Sequence, residues 1–119
     1  MSQMTQWDWD ILARQGVTPD NLTVRGALYL EGTAITALPD NLTVGGSLDL
    51  RCTAIIPLYD DHERGYRLNR AGNHYHAGCR RFTAEQALAH WGSPDYPDRA
   101  RGDAYCAAIQ AEEARRAIA

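Results

Sequence analysis

Apolar positions recur through the first half of the chain at a fixed interval. Residues 22–41 read LTVRGALYLEGTAITALPDN and residues 42–61 read LTVGGSLDLRCTAIIPLYDD, identical at 11 of 20 positions. Chance would give roughly one or two matches, and a period of about 20 residues points to a solenoid. Within each unit, Leu28-x-Leu30 and Leu48-x-Leu50 alternate as a half-buried strand does. Ile35 and Leu38, repeated as Ile55 and Leu58, are expected to enter the same core. Pro19-Asp20-Asn21 matches Pro39-Asp40-Asn41 and marks a degenerate turn ahead of the first full unit. Val44-Gly45-Gly46-Ser47 is glycine-rich, but its equivalent Val24-Arg25-Gly26-Ala27 identifies it as a corner of the repeat, where backbones approach closely.

Two and a half rungs need caps at their ends, and the flanks supply candidates. Residues 1–16 predict an N-terminal capping helix. In TQWDWDILARQ, Trp7, Ile11 and Arg14 fall at helical spacing, Asp8 and Asp10 suit the positive end of the helix dipole, and Gly16 stops it. Residues 62–83 predict a β-hairpin turning at Ala71-Gly72-Asn73, with Tyr66 and Leu68 on one side and Tyr75 between His74 and His76. Residues 84–117 predict a helical cap. Thr83 and Gln86 form a capping box for a helix over Ala84–Trp91 ending at Gly92. Ser93 to Pro97 is a rigid turn, and Pro97 suits the first position of a last helix reaching Ala117. That helix would bury Ala100, Ala104, Ala108 and Ile109 beside Tyr105, and pair Glu112 with Arg116. The expected architecture is one α+β domain over 1–119. It has a short N-terminal β-solenoid of two to three rungs over 17–61, then the hairpin and two C-terminal helices.

Leu28-x-Leu30-x-x-Thr33-x-Ile35-x-x-Leu38-Pro39, repeated from Leu48 to Leu58, resembles the short 20-residue leucine-rich repeat of bacterial effector and prophage-encoded proteins. The resemblance covers about 40 of the 119 residues. It departs from the family at the asparagine ladder, where Thr33 and Thr53 stand, and at the leading leucine, where Arg25 and Gly45 stand. A threonine hydroxyl is expected to bond a neighbouring rung's backbone in the amide's place. Residues 64–106 loosely resemble uncharacterised phage and prophage segments. Together these resemblances imply a phage context and a binding surface.

Composition adjusts this picture. Alanine supplies 18 of the apolar positions, so the core must be narrow. The three cysteines, Cys52, Cys79 and Cys106, are odd in number and suggest reduced thiols in a cytoplasmic protein, here within a host cell. Cys52 replaces Gly32 of the preceding unit, and Cys106 is expected to be buried among alanines. No apolar run suits a membrane span, and no secretory leader pattern opens the chain. Net charge is −3, with arginine the only strong cation, which argues against direct nucleic-acid binding as the default. The charge is uneven. Residues 1–61 carry three arginines against eight carboxylates, a net of −5, and residues 62–119 nine against seven, a net of +2.

Several groups could carry chemistry. His74 and His76 share one side of a strand, and Cys79 could complete a three-ligand zinc set, with His62 and His90 elsewhere in the chain. The spacings that make a zinc motif strong are missing, so neither metal nor cofactor is expected. Cys79 beside Arg80 and Arg81 could instead be a thiolate nucleophile, with His76 or His90 as base and Asp95 or Glu85 to orient it. No nucleophile motif surrounds it. Asp20, Asp40 and Asp60 recur every 20 residues, Asp61 follows Asp60, and Glu31 and Asp49 add charge on the strand face. This acidic ladder is either turn chemistry or a surface for a basic partner. Arg64, Arg67, Arg70, Arg80 and Arg81 form a secondary basic patch, with Arg64, Arg70 and Arg80 expected near one another.

The expected function is binding rather than catalysis. A phage-encoded protein would bind and inhibit a host protein, in its most concrete form as an anti-CRISPR-type inhibitor occluding the nucleic-acid site of a defence complex. The alternatives are a small metal- or thiol-dependent enzyme using His74, His76 and Cys79, and a nucleic-acid binder using the arginine-rich half.

Overall fold

The computed structural model describes residues 4–61, 66–78 and 80–118, and Asp61 and Tyr66 by their backbone alone. His62, Glu63, Arg64 and Cys79 lie outside the described residues. The protein is mixed α and β. Helix α1 (Gln6–Ala13) is followed by four two-residue strands, β1 (Thr23–Val24), β2 (Leu28–Tyr29), β3 (Thr43–Val44) and β4 (Leu48–Asp49). Strands β5 (Tyr59–Asp61), β6 (Tyr66–Ala71), β7 (His74–Ala77) and β8 (Arg80–Thr83) form a four-stranded antiparallel sheet in sequence order. Helices α2 (Ala84–Trp91) and α3 (Arg99–Ile118) close the chain. The expected hairpin is the middle of this larger sheet.

The repeat is written into the pairing. β1 pairs in parallel with β3, Thr23 opposite Thr43, and β2 with β4, Leu28 opposite Leu48, so equivalent residues lie side by side. Between the strands the ladder continues through Gly45 N–H to Val24 O (2.8 Å) and Gly46 N–H to Gly26 O (3.0 Å). The corner glycines are required there, because a Cβ on Gly45 would stand 2.4 Å from Arg25 O. Gly32 turns with φ +73°, and its counterpart Cys52 with φ +56°. That is a left-handed conformation which a side chain strains to adopt. Thr33 and Thr53 each donate to the carbonyl three residues earlier, Leu30 O and Leu50 O, at 2.7 Å. Each hydroxyl is thus used within its own repeat unit (22–41, the first coil, and 42–61, the second), contrary to the expected bond between rungs, because the short side chain reaches its own turn first.

Leu28, Leu30, Ile35, Leu42, Val44, Leu48 and Leu50 fill the inside of the two coils. Helix α1 covers one end with Ile11 and Leu12, while Trp9 packs alongside. Trp7 is 63% exposed and Arg14 is exposed, which corrects the expected inner face. The buried polar residue of the helix is Asp8. It forms a capping box with Thr5 and accepts hydrogen bonds from Thr36 N–H (2.7 Å) and Thr36 Oγ1 (2.8 Å), tying helix to coil. Burial alone would raise this carboxyl, but the Thr36 and Thr5 donors outweigh it and hold it below its ordinary value.

The sheet covers the other end, one face toward the coils and one toward the helices. Ala71 joins the coil core, and Gly72 (φ +59°) lies so close to Leu42 that a Cβ would stand 2.2 Å from its carbonyl oxygen. On the opposite face Leu68, Tyr75 and Ala77 pack against Ala87, Trp91, Tyr105 and Ile109. Trp91 and Tyr105 meet edge to face at 4.8 Å, a favoured aromatic geometry. Leu58, expected in the coil core, belongs to this second cluster because the chain is already entering β5.

Helix α2 spans the expected residues with its Thr83–Gln86 box intact. Helix α3 begins at Arg99, with the Asp98 carboxylate accepting from Arg101 N–H (3.0 Å). Pro97 therefore precedes the helix. Its buried stripe is Gly102, Tyr105, Ile109 and Glu112, while Ala100 is exposed and Ala104, Ala108 and Cys106 are half-buried. The expected pair of Glu112 with Arg116 is also replaced. Glu112 engages Arg115, and Arg116 engages Glu113. No helix among the described residues is long and apolar enough to cross a membrane.

Candidate functional site

The outer face of β2 and β4 gathers several of the expected residues. Parallel register sets Tyr29 beside Asp49, and two residues further on Glu31 lies beside Arg51. Arg51 Nη2 contacts Glu31 Oε2 at 3.1 Å and Asp49 Oδ2 at 2.9 Å, while its Nε donates to Asp49 Oδ1 at 3.0 Å. Arg51 holds the Asp49 carboxyl below its ordinary value against the opposing effect of burial, and Arg67 adds its charge. Arg67 Nε in turn contacts Asp60 Oδ2 at 3.3 Å. Glu31, Arg51, Asp49, Arg67 and Asp60 thus form a chain of alternating sign. The ladder and the basic patch interleave here instead of standing apart. Tyr29, 62% exposed, stands beside this chain over a hollow of about 270 Å³ lined by Asp49, Arg51, Arg67 and Asn69.

Asp20 and Asp40 occupy exposed turns. The Thr18–Asn21 turn closes through Asn21 N–H to Thr18 O (3.0 Å), and the second through Leu42 N–H to Pro39 O (3.2 Å). Asp40 adds its charge to the field around Arg115. Asp61 belongs to β5 by its backbone, and its side chain lies outside the described residues.

The remaining arginines are divided by strand alternation. Arg67 and Arg81 share the coil side of the sheet with Asn69 and His76, and Arg70 and Arg80 share the helix side with Tyr75 and Ala77. The structure therefore does not gather the described arginines into one patch. Arg70 Nε donates to Glu112 Oε2 at 2.8 Å and its Nη1 to Gly72 O at 2.7 Å. Glu112 also accepts from Arg115 Nε at 2.6 Å. Arg115, then Arg70, hold Glu112 down at about 2 despite its burial. This network forms one wall of a cleft of about 450 Å³ between the second coil and α3, with Asp40, Ile55 and the 87% exposed Ile56 opposite.

His74 and His76 share a face of β7, as alternation requires, and that face looks at the coils. His76 is 2% exposed, and its Nδ1 and Nε2 have no hydrogen-bond partner. Among the described residues no three His, Cys, Asp or Glu side chains converge to hold a metal ion. His90 sits apart in an aromatic group with Phe82 and Tyr96. The sequence reading missed Glu112 as a buried ion-pair centre and Asp8 as a tether. The Thr5-x-x-Asp8 spacing signalled a cap, while the bond to Thr36 needed the tertiary structure. Comparison with protein-family models, curated proteins and solved structures finds no match to this chain.

Proposed function

We propose that this chain is a small binding protein that inhibits a protein partner by occupying its nucleic-acid site. The two paired coils are read as a short β-solenoid of leucine-rich-repeat type, serving to hold one face rigid. The observation that carries the reading is Tyr29, largely exposed and fixed beside Asp49 and Glu31. A nucleic-acid site offers arginine or lysine for phosphates and flat surfaces for bases. A planar ring beside two carboxylates that share the single Arg51 cation keeps an acidic excess and presents the complementary chemistry, and aromatics such as tyrosine are enriched among the dominant residues of interfaces. Asp20 and Asp40 add exposed carboxylates at the turns, and residues 1–61 carry a net of −5. An anti-CRISPR-type protein of a phage or prophage, acting in the host cytoplasm on a defence complex, is the concrete form of this proposal.

Immobilised protein should capture a nucleic-acid-binding protein from host lysate, and an oligonucleotide should release it. Tyr29→Ala combined with Asp20→Asn, Asp40→Asn and Asp49→Asn should reduce capture at least tenfold. Equal capture by the variant, or release insensitive to oligonucleotide, would contradict the proposal.

A further inference from the structure

Where the second coil meets the sheet, small residues allow near-backbone contact, with Gly72 against Leu42 and Ala71 in the coil core. Among the described residues, the most deeply buried polar side chain of the sheet face at this junction is His76. It is 2% exposed, and neither ring nitrogen has a hydrogen-bond partner. Buried orphan nitrogens of this kind call for a functional or physical explanation. Its cross-strand neighbour on β8 is Arg81, whose Nε is also buried without a partner. His74 follows on the same face of β7, with an orphan Nδ1. On β6 the neighbour is Asn69, and Arg67 beyond it is engaged by Asp60. On the coil the Gly46 backbone faces the ring closely enough to favour its protonated form, though not in the geometry of a formed hydrogen bond. Asp49 of the same coil is held by Arg51.

We propose that this junction is a proton-sensitive joint: protonation of His76 beside Arg81 releases the second coil from the sheet. Among the described residues, a second cation placed next to Arg81 in a water-poor contact meets no uncommitted carboxylate, since Asp49 engages Arg51 and Asp60 engages Arg67. Release gives both cations water. Consistent with this, burial first, then Arg81 and His74, push the His76 imidazole down to about 4, with the Gly46 backbone opposing in part. His74 is lowered too, by burial and by Arg81.

The sign follows from linkage. With an opened-state value of 6.5 and a closed-state value near 4, the open state binds more protons throughout that window. The closed joint is therefore at full strength above pH 6.5 and loses stability as pH falls toward 4. Between pH 7 and pH 5 the opening equilibrium should rise about 20-fold.

Amide hydrogen exchange of the full chain, divided by the intrinsic rate at each pH, reads this directly. The expected result is a rise of about that size confined to residues 42–50 and to β6 and β7, with α2 and α3 unchanged. His76→Gln should abolish the rise, and Arg81→Gln should reduce it while keeping its direction. Uniform deprotection, or an undiminished rise in His76→Gln, overturns the proposal. An NMR titration of the wild-type imidazole needs no variant. A midpoint below 5 supports the joint, and a midpoint near 6.5 overturns it. Stoichiometric Zn²⁺ uptake shifting both His74 and His76 rings also overturns it, because the orphan nitrogens would then be ligands.

Discussion

Replacing Asp8 with alanine removes the tether between α1 and the first coil. The carboxylate has no exposed surface and accepts from Thr36 N–H and Oγ1 at 2.7 and 2.8 Å and from Thr5 Oγ1 at 3.0 Å. The Thr5 cap on the residue-8 N–H survives, but loss of the reciprocal carboxylate bonds to Thr5 costs about 1 kcal/mol, and the charged bonds to Thr36 contribute about 2 kcal/mol more once water replaces them at these exposed threonines. A total near 3 kcal/mol is expected. With a urea m-value of about 1.5 kcal/mol/M, this lowers the denaturation midpoint by about 2 M. Asp8→Asn keeps one acceptor and should lose less than half as much. The effect has a pH signature. Because the folded carboxyl lies below its ordinary 3.8, its stabilisation is fully present above that value and fades as pH falls through the folded one. The difference between wild type and Asp8→Ala should therefore be constant from pH 5 to 7 and shrink below pH 4. A loss under 0.5 kcal/mol at pH 7 (about a sixth of that expected), or one unchanged at pH 3, would refute the reasoning.

Three further predictions concern other parts of the fold. Cys52→Gly should stabilise the protein by about 0.5 kcal/mol in urea denaturation, since relief of left-handed strain exceeds the added chain entropy. Gly72→Ala should cost about 2–4 kcal/mol through its 2.2 Å collision with Leu42 O, whereas Gly16→Ala, with nothing within 4 Å, should cost only about 1 kcal/mol of backbone strain. Glu112, held near 2 against an ordinary 4.5, contributes stability present above 4.5 and lost as pH falls toward 2. That amounts to up to about 3 kcal/mol, and Glu112→Gln should flatten thermal stability against pH in that window.

Legibility in the sequence followed the range of the interactions. The 20-residue repeat was visible because equivalent residues meet the same local demands in each unit, and the register of β1 on β3 and β2 on β4 realises it residue for residue. Helix α2 was visible because Thr83 and Gln86 carry a local cap. The face of α1 was misread, since Trp7 looks like core until the Asp8 bond to Thr36, 28 residues away, sets the helix rotation. On α3, Tyr105 and Ile109 are buried as expected, but the alanines beside them are not, for a similar reason. Alanine marks no side, and the face was chosen by Tyr105 against Trp91 and by Glu112 against Arg70. The acidic ladder was legible as a recurrence in the chain. Its partial neutralisation was not, because Arg51 reaches Glu31 only after β2 pairs with β4, and Arg67 reaches Asp60 only after β5 pairs with β6.

The central claim is that the Tyr29 face and a nucleic acid compete for the same place on a partner. The direct measurement is fluorescence anisotropy of a labelled oligonucleotide on the captured partner while this protein is titrated in. The account predicts displacement at one equivalent per site and, because the acidic surface makes the contact, weakening as salt rises. Tyr29→Ala should displace at least tenfold less effectively. A stable ternary complex, with the oligonucleotide still bound at saturating protein, would contradict it.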